Sequence, residues 1–327
     1  MRILVLHDRI DGEVRADEAD VLVQRDVVCA ALRALGHETS SHGCGLDLQD
    51  VADHLHAVQP DLVFNLVESI ARTGRLIHLV PGVLDALHVR YTGAPAEAIF
   101  LSSSKQLGKR WLAASGLRTA ESWTLADLRR PGARATGRVI VKSLWEHGSV
   151  GMDHDCVFEV DSAAQLAFEM ERRLPALGGD AIAERYVDGR EFNLSVLAGP
   201  EGPEVLPPAE IEFVDWATDR PRIVDWRAKW DEQSPEYQGT PRRFEFPTED
   251  GALLAELRTM ALQSWHAFAL RGWARVDFRV DADGRPFVLE VNTNPCLSPD
   301  AGFAAALARA GISFERAIAR IVVDALR

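Results

Sequence analysis

Residues Arg275-Val276-Asp277-Phe278-Arg279-Val280 and Phe287-Val288-Leu289-Glu290-Val291-Asn292 flank an Asp283-Gly284 pair, and the reading of this stretch decides the fold. Two runs rich in Val and Phe on either side of Asp-Gly predict an antiparallel hairpin with a two-residue turn. Such a turn sets the pairing, placing Asp277 opposite Glu290 and Arg275 opposite Asn292. Side chains alternate along a strand, so these four polar residues share one face. Asp277 and Glu290 are expected at a non-hydrogen-bonded pair, where backbones approach to about 4.5 Å. Carboxylates that close repel one another. A hard cation relieves the repulsion, and the oxygens of Asp277, Glu290 and the Asn292 amide suit Mg²⁺ bridging carboxylates to phosphates. The hairpin therefore reads as a metal-nucleotide platform, although a solvated polar face on an ordinary hairpin has the same pattern.

Upstream, strands and helices alternate. Residues 3–6 predict a strand and 21–35 a helix closed by Gly36; 51–58 predict a helix before Pro60, 62–66 a strand, and 76–87 a helix after Gly74. That order implies a doubly wound parallel sheet. Residues 91–95 mark a boundary, and a helix is expected from the Ser102-Ser103-Ser104 cap to Gly116. Beyond it, 139–141 predict a strand and 162–174 a helix. Residues 182–186 and 191–197 are expected to form a second hairpin turning at Asp188-Gly189, with Glu191 opposite Tyr186 and Glu184 opposite Asn193. Leu253, Leu254, Leu257, Ala261, Trp265 and Phe268 make one helical stripe ending at Gly272, and 314–326 predict a last helix. The charged, Pro-containing stretch 225–246 is expected to be a mobile loop.

With 327 residues and 47% apolar side chains, the chain can build two or three cores. Its 36 basic and 49 acidic residues leave a net charge of -13, which argues against duplex nucleic acid and anionic membrane as partners. Cys29, Cys44, Cys156 and Cys296 show no CxxC spacing, suggesting reduced thiols rather than structural zinc. No apolar run approaches the roughly 20 residues of a membrane span, and the opening strand is too short for a signal sequence. A cytoplasmic protein is expected. His54 and His56 read as surface residues.

After the strand at 139–141, Gly148 and Gly151 flank Ser149 in a loop able to aim backbone amides at phosphate. Neither a Walker loop nor GxGxxG occurs in the chain. Lys142 at the mouth of that strand and Lys105 at a helix start would clamp a polyphosphate from two sides; the ordinary alternative is a pair of snorkelling surface lysines. Glu184 and Glu191 on alternating strands can offer hydrogen-bonding groups to adenine and ribose, or simply face solvent.

Taken in order, Lys105, Lys142 with its glycine loop, Glu184 to Glu191, Lys229, Arg275-Val-Asp277 and Glu290-Val-Asn292-Thr-Asn-Pro resemble the ATP-grasp ligases, specifically the D-alanine-D-alanine ligase family, across nearly the whole chain. The resemblance implies an α/β chain, α+β in its ATP-grasp part. An N-terminal doubly wound parallel-sheet domain over 1–97 would precede a two-part ATP-grasp fold over 98–180 and 181–327. It implies that Lys105, Lys142, Gly148, Ser149 and Val150 meet ATP phosphates, that Glu184, Tyr186 and Val187 hold adenine, and that Glu191 binds ribose. Lys229 would reach the γ-phosphate, and Asp277, Glu290 and Asn292 would carry Mg²⁺, commonly two ions, with Mn²⁺ as the alternative. In such enzymes ATP converts a carboxylate to an acyl phosphate, and an amine displaces phosphate. Arg275 would stabilise the negative charge that develops. The implied substrates are amino acids or peptides, and family members usually pair as homodimers through the first domain.

The chain departs from the family pattern where substrates bind. Leu6-His7-Asp8 stands for a Gly-Gly loop, and Asn65-Leu66-Val67-Glu68 with Arg72-Thr73-Gly74 replaces a His-Gly segment, putting Glu68 near the first-substrate histidine. Gly148 takes the place of a serine, Trp230 of a tyrosine, Cys296 of a glycine, and Ala301, beside Gly302, of the serine that grips the second substrate's carboxylate. A ligase whose substrates are not both D-alanine is the expectation. Cys296 reads as a packed thiol rather than a nucleophile. The competing readings are an ATP-grasp kinase and a nucleotide-binding regulator without turnover.

Overall fold

The computed structural model describes residues 1–10, 16–146 and 148–327. Strand β1 (Arg2–Asp8) lies between β2 (Glu38–Cys44) and β3 (Leu62–Asn65) in a parallel sheet. Alternate β1 side chains bury in opposite directions. Ile3 and Val5 meet Val28 and Leu32 of α1 (Ala16–Ala34), whereas Leu4 and Leu6 share a core with α2 (Leu48–Val58) and α3 (Leu79–Ala86). Both faces are covered, which is why the strand reads as an unbroken apolar run. β2 was not legible, because Glu38-Thr39-Ser40-Ser41-His42 is a half-exposed edge without apolar alternation. Helix α4 (Ala96–Ser103) also adds to the expectation, and the serine cluster caps α5 (Lys105–Ala114) through Ser104, whose Oγ accepts from the Leu107 amide at 3.3 Å.

A second, antiparallel sheet has the order β4-β7-β5-β6, built from β4 (Ser122–Trp123), β5 (Gly137–Ser143), β6 (Val157–Val160) and β7 (Ala181–Arg185). Its inner face packs on α7 (Ala163–Arg173), which buries Leu166 and Met170 against Val139 and Val141; the short α6 (Leu125–Leu128) closes one end. The third sheet, also antiparallel, runs β11-β10-β8-β12-β13 with β9 on the side of β8. Its strands are β8 (Arg190–Leu197), β9 (Glu204–Val205), β10 (Ala209–Ile211), β11 (Arg242–Arg243), β12 (Trp273–Val280) and β13 (Pro286–Asn292). Helix α10 (Gly251–Ala267) lies on this sheet through Leu257 and Ala261. Helices α11 (Gly302–Arg309) and α12 (Phe314–Ala325) join the core that contains Ile3, Val5 and Phe64, where Phe64 stacks on Trp273 at 5.6 Å.

The expected hairpin over 182–197 does not form. β7 pairs with β4 and β5, whereas β8 pairs with β9, β10 and β12, so Glu184 faces Ile140 and Glu191 faces Ile211 and Arg279. Asp188-Gly189 instead carries the chain from one sheet to the other. Gly189 has φ +147°, and a Cβ there would stand 2.0 Å from the Val280 carbonyl oxygen. The dipeptide therefore marks a backbone path open only to glycine, and a strand turn is one use of such a path among several.

At the last hairpin the pairing is as expected, but the turn is not. Asp281 pairs with Arg285, the Asp281 amide donating to the Arg285 carbonyl at 3.1 Å, so the loop is Ala282-Asp283-Gly284 with Gly284 at φ +77°. This longer loop shifts the register by one residue. A bulge between Asp277 and Phe278, with Leu289 as the extra residue opposite, shifts it back, restoring Asp277 to Glu290 and Arg275 to Asn292. The stretch 225–246 is not a structureless loop either, since it folds into α8 (Trp226–Trp230), α9 (Pro235–Gln238) and β11.

Candidate active site

Arg275, Asp277, Glu290 and Asn292 line one cavity of about 970 Å³. Alternation along β12 points Arg275 and Asp277 the same way, and their side chains lock together: Arg275 Nε and Nη2 donate to the Asp277 carboxylate at 2.7 and 2.8 Å. Asn193 Nδ2, from the neighbouring β8, adds a third donor at 2.8 Å. Burial opposes the charge on Arg275, but Asp277 outweighs it and holds the guanidinium pKa above its ordinary value. The repulsion anticipated across the hairpin is thus already met by a guanidinium. Among the described residues no three His, Cys, Asp or Glu side chains are grouped so as to hold a metal ion; the hairpin offers two carboxylates and an amide. That all-oxygen set still fits a hard divalent cation, which would have to share Asp277 with Arg275.

Adjoining this cavity on the same face of the hairpin, a cleft between the two antiparallel sheets is lined by Lys105, Lys142, Gly148, Ser149, Val150, Glu184, Tyr186, Val187 and Glu191, together with Lys229, Asp277 and Glu290. Glu184 is 1% exposed, and its two oxygens sit 2.9 Å from Lys109 Nζ and 2.8 Å from Lys142 Nζ. Burial disfavours its charge, but the two lysines overcome that and hold its carboxyl below the usual range. Lys142 is raised in turn: burial lowers it, and Glu184 and Glu290 more than compensate. Lys105, buried and donating to the Glu146 carbonyl at 2.7 Å, is pushed down to about 8 by desolvation. Lys229 is likewise lowered by burial. A cleft floor of desolvated ammonium groups attracts a polyphosphate, whose charges restore what burial removes.

The glycine loop and the stretch after residue 222 close over this cleft. Gly148, Ser149 and Gly151 all have positive φ, and a Cβ on Gly151 would lie 2.3 Å from the Ala176 carbonyl oxygen. Ser149 Oγ donates to the Val224 carbonyl at 2.8 Å, and Trp230 Nε1 to the Gly148 carbonyl at 3.1 Å. Two of the departures from the resembled family therefore touch: the indole of Trp230 rests where a Cβ on Gly148 would sit 3.6 Å away. His147 of that loop lies outside the described residues.

Glu68, Trp230, Cys296, Ala301 and Gly302 all line the larger cavity. Glu68 is held by Gln24 Nε2 at 3.0 Å, and its amide donates to Asp8 Oδ1 at 2.7 Å. Burial pushes its carboxyl up to about 8, despite the hydrogen bond from Gln24, and Asp8 and Asp20 add to the rise. Cys296 Sγ donates to Asp20 at 2.9 Å, and desolvation followed by Glu68 and Asp20 raises the thiol pKa, so it is not a thiolate nucleophile.

Three residues that hold the site were missed in the sequence. Lys109, one helical turn after Lys105, is 3% exposed and shares Glu184. Arg279, also 3% exposed, donates to the carbonyls of Val187 at 3.0 Å and Arg222 at 2.9 Å, and pairs with Glu191 at 3.1 Å. Its position two residues beyond Asp277 already placed it on the functional face. Asn193 bears the same relation to Glu191 on β8. Tyr186 donates to the Arg222 carbonyl at 3.1 Å, and its ring lies 4.8 Å from the Arg138 guanidinium.

Comparison with known proteins bears on the family and the fold. The family described as "D-ala D-ala ligase C-terminus" matches residues 126–323. A D-alanine-D-alanine ligase of Cupriavidus necator is 31% identical over 318 residues, covering 95% of this chain and 89% of its own length. An uncharacterized protein, y4sG, of Sinorhizobium fredii is also 31% identical, over 304 residues, covering 90% and 84%. Among solved structures, the D-alanine-D-alanine ligase of Bacillus anthracis complexed with ATP superposes with a TM-score of 0.71 at 20% identity, covering 100% of this chain and 97% of the other. The chain belongs to the D-alanine-D-alanine ligase family and is an ATP-grasp, ADP-forming C-N ligase that uses ATP and a divalent metal.

Proposed function

We propose that this ligase joins two amino acids, or an amino acid and a peptide, through an acyl phosphate, with D-alanine as the leading candidate substrate. The observation that carries the reading is the hairpin's position where two cavities adjoin: Lys229, Asp277 and Glu290 line both the lysine-floored cleft and the larger cavity that holds the substrate candidates. In this reading Lys105, Lys142 and the amides of Gly148 to Val150 hold the phosphates, and Lys229 meets the γ-phosphate. Val187, Tyr186 and Glu191, braced by Arg279, form the nucleoside end, while Glu184 acts chiefly as the counter-ion that keeps Lys109 and Lys142 charged.

Asp277, Glu290 and Asn292 would hold Mg²⁺, as two ions, which neutralises charge on the transferring phosphoryl group. Arg275 then faces the reacting carboxyl, its guanidinium placed to offset charge on the acyl phosphate and the tetrahedral intermediate. Glu68 and its neighbouring acids suit the ammonium of the carboxyl donor. The four cysteines are free thiols, consistent with work in the cytoplasm. The division at 1–97, 98–180 and 181–327 is proposed as the domain scheme, with its second boundary moved to 186–189 because β7 (Ala181–Arg185) pairs with β4 and β5. Homodimerisation is proposed from the family alone.

Incubating the protein with ATP, Mg²⁺ and pools of D- and L-amino acids tests the assignment, with phosphate release and dipeptide mass as readouts. A dipeptide in step with phosphate is the expected result. Phosphate without a C-N product refutes the ligation of amino acids.

A further inference from the structure

We infer that Arg242 binds the carboxylate of the amine-bearing substrate, replacing the serine contact that Ala301 has lost. The inference rests on the amino-acid ligase reading and adds a specificity residue to it.

Arg242 and Arg243 form the two-residue edge strand β11, so their side chains leave on opposite faces. Arg243 is committed elsewhere, with ion pairs to Glu210 and Glu212. Arg242 lines the substrate cavity and, among the described residues, has no carboxylate within salt-bridge distance; the Asp300 side chain, which lines the same cavity, acts on it from further off. Arg242 Nη1 donates a long hydrogen bond, 3.3 Å, to the Asp300 carbonyl. The guanidinium lies over Gly302, where a Cβ would stand 3.4 Å from Nε, so the small residues Ala301 and Gly302 leave the fork its place beside the cavity wall. The other cavity cation on this sheet, Arg275, already gives Nε and Nη2 to Asp277 and has its remaining donors for the reacting centre. Arg242 is exposed at the sheet edge and feels the positive charge of Arg275, which Asp300 and Tyr237 counter, so its guanidinium is open to a substrate carboxylate.

Chemistry assigns that anion to the acceptor. The donor's carboxylate is the group that becomes phosphorylated and must lie at the metal hairpin. The acceptor's carboxylate takes no part in bond making and needs a cation away from the metal, while its amine must lie near the acyl carbon. An arginine can grip such a carboxylate through two parallel N-H donors, which a serine cannot. The acceptor end of this cavity therefore selects a free carboxylate more sharply than a hydroxyl would.

The test compares D-alanine, or whichever amino acid yields product in the pooled assay, with its carboxamide as acceptor. Wild type, Arg242→Ala and Arg242→Lys are measured, with acceptor and ATP KM determined separately. Charge-assisted hydrogen bonds of this kind predict an acceptor KM roughly 10- to 100-fold higher in Arg242→Ala, with ATP KM changed less than about twofold. The preference for acid over amide should collapse in the alanine variant and be partly kept in Arg242→Lys. Unchanged acceptor KM in Arg242→Ala, or an equal loss with acid and amide, overturns the inference while leaving the ligase reading intact. Absence of any dipeptide from wild type overturns both. A variant that does not fold is recognised by lost ATP binding, and Arg242→Lys then decides alone.

Discussion

Replacing Glu184 with Gln keeps the shape of the side chain and removes the charge shared by Lys109 and Lys142. All three residues are buried, with Glu184 at 1% exposure and the lysines at 3% and 8%. Taking one partner from a buried ion pair destabilises by about 3–5 kcal/mol, because the other charge is left uncompensated. The penalty has a ceiling, since a lysine can escape by losing its proton. From an ordinary pKa of about 10.4, deprotonation at pH 7 costs about 3.4 units at 1.36 kcal/mol each, or roughly 4.6 kcal/mol per lysine. A loss near 4 kcal/mol is therefore expected. With an unfolding entropy of about 2.1 cal/mol/K per residue, a chain of this length unfolding as one unit would lose about 6 °C in Tm.

The escape route gives the prediction a second signature. A lysine whose folded pKa is depressed weakens the fold below its unfolded pKa, and the effect shrinks as pH rises toward that value. The deficit of Glu184→Gln relative to wild type should thus fall steadily between pH 7 and 9.5. Adding Lys109→Met should recover a substantial part of the loss at pH 7. Urea denaturation across that pH range measures all three. A deficit below about 1 kcal/mol that does not vary with pH would mean that the lysines carry no buried charge, and the account of the cleft floor would fail.

Glu290→Gln should leave Tm within a few degrees of wild type and lower turnover by about a hundredfold or more, as loss of one electrostatic stabiliser does; near-normal turnover removes Glu290 from the metal site. Glu68, held at about 8, is largely protonated at pH 7 in the ligand-free protein, so an ammonium substrate should bind more tightly as pH rises from 6 to 8 and release a proton. Calorimetry at pH 7 in buffers of different ionisation enthalpy detects that proton, and its absence refutes the placement. With a folded pKa above the unfolded one, the same group adds stability below about pH 4.5 that is lost as pH rises through about 8. Finally, if 225–246 covers bound nucleotide, proteolytic nicking within it should slow several-fold on adding ATP and Mg²⁺, even though the stretch already contains α8 and α9. An unchanged rate counts against its role as a lid.

Local chemistry in the sequence determined a good deal about this protein. The apolar run of β1, the Ser104 cap and the stripe of α10 depend on neighbours a few residues apart, and each was legible. The residue types at 275, 277, 290 and 292 likewise announced an oxygen-rich face, and the family pattern carried the enzyme class. What the sequence could not say was which distant partner each element meets. Asp188-Gly189 signals a tight backbone in any context, and only the packing of Gly189 against the Val280 backbone makes it a crossing between sheets. The hairpin register was right through two compensating differences, a longer loop and a bulge, neither visible in the residues. The role of Glu184 changed for the same reason, because Lys109 and Lys142 come from a helix and a strand that only the tertiary structure brings to one carboxylate. Sequence periodicity reports which way a side chain points; the partner it finds there is decided by long-range packing, where desolvation sets whether a charge can exist at all.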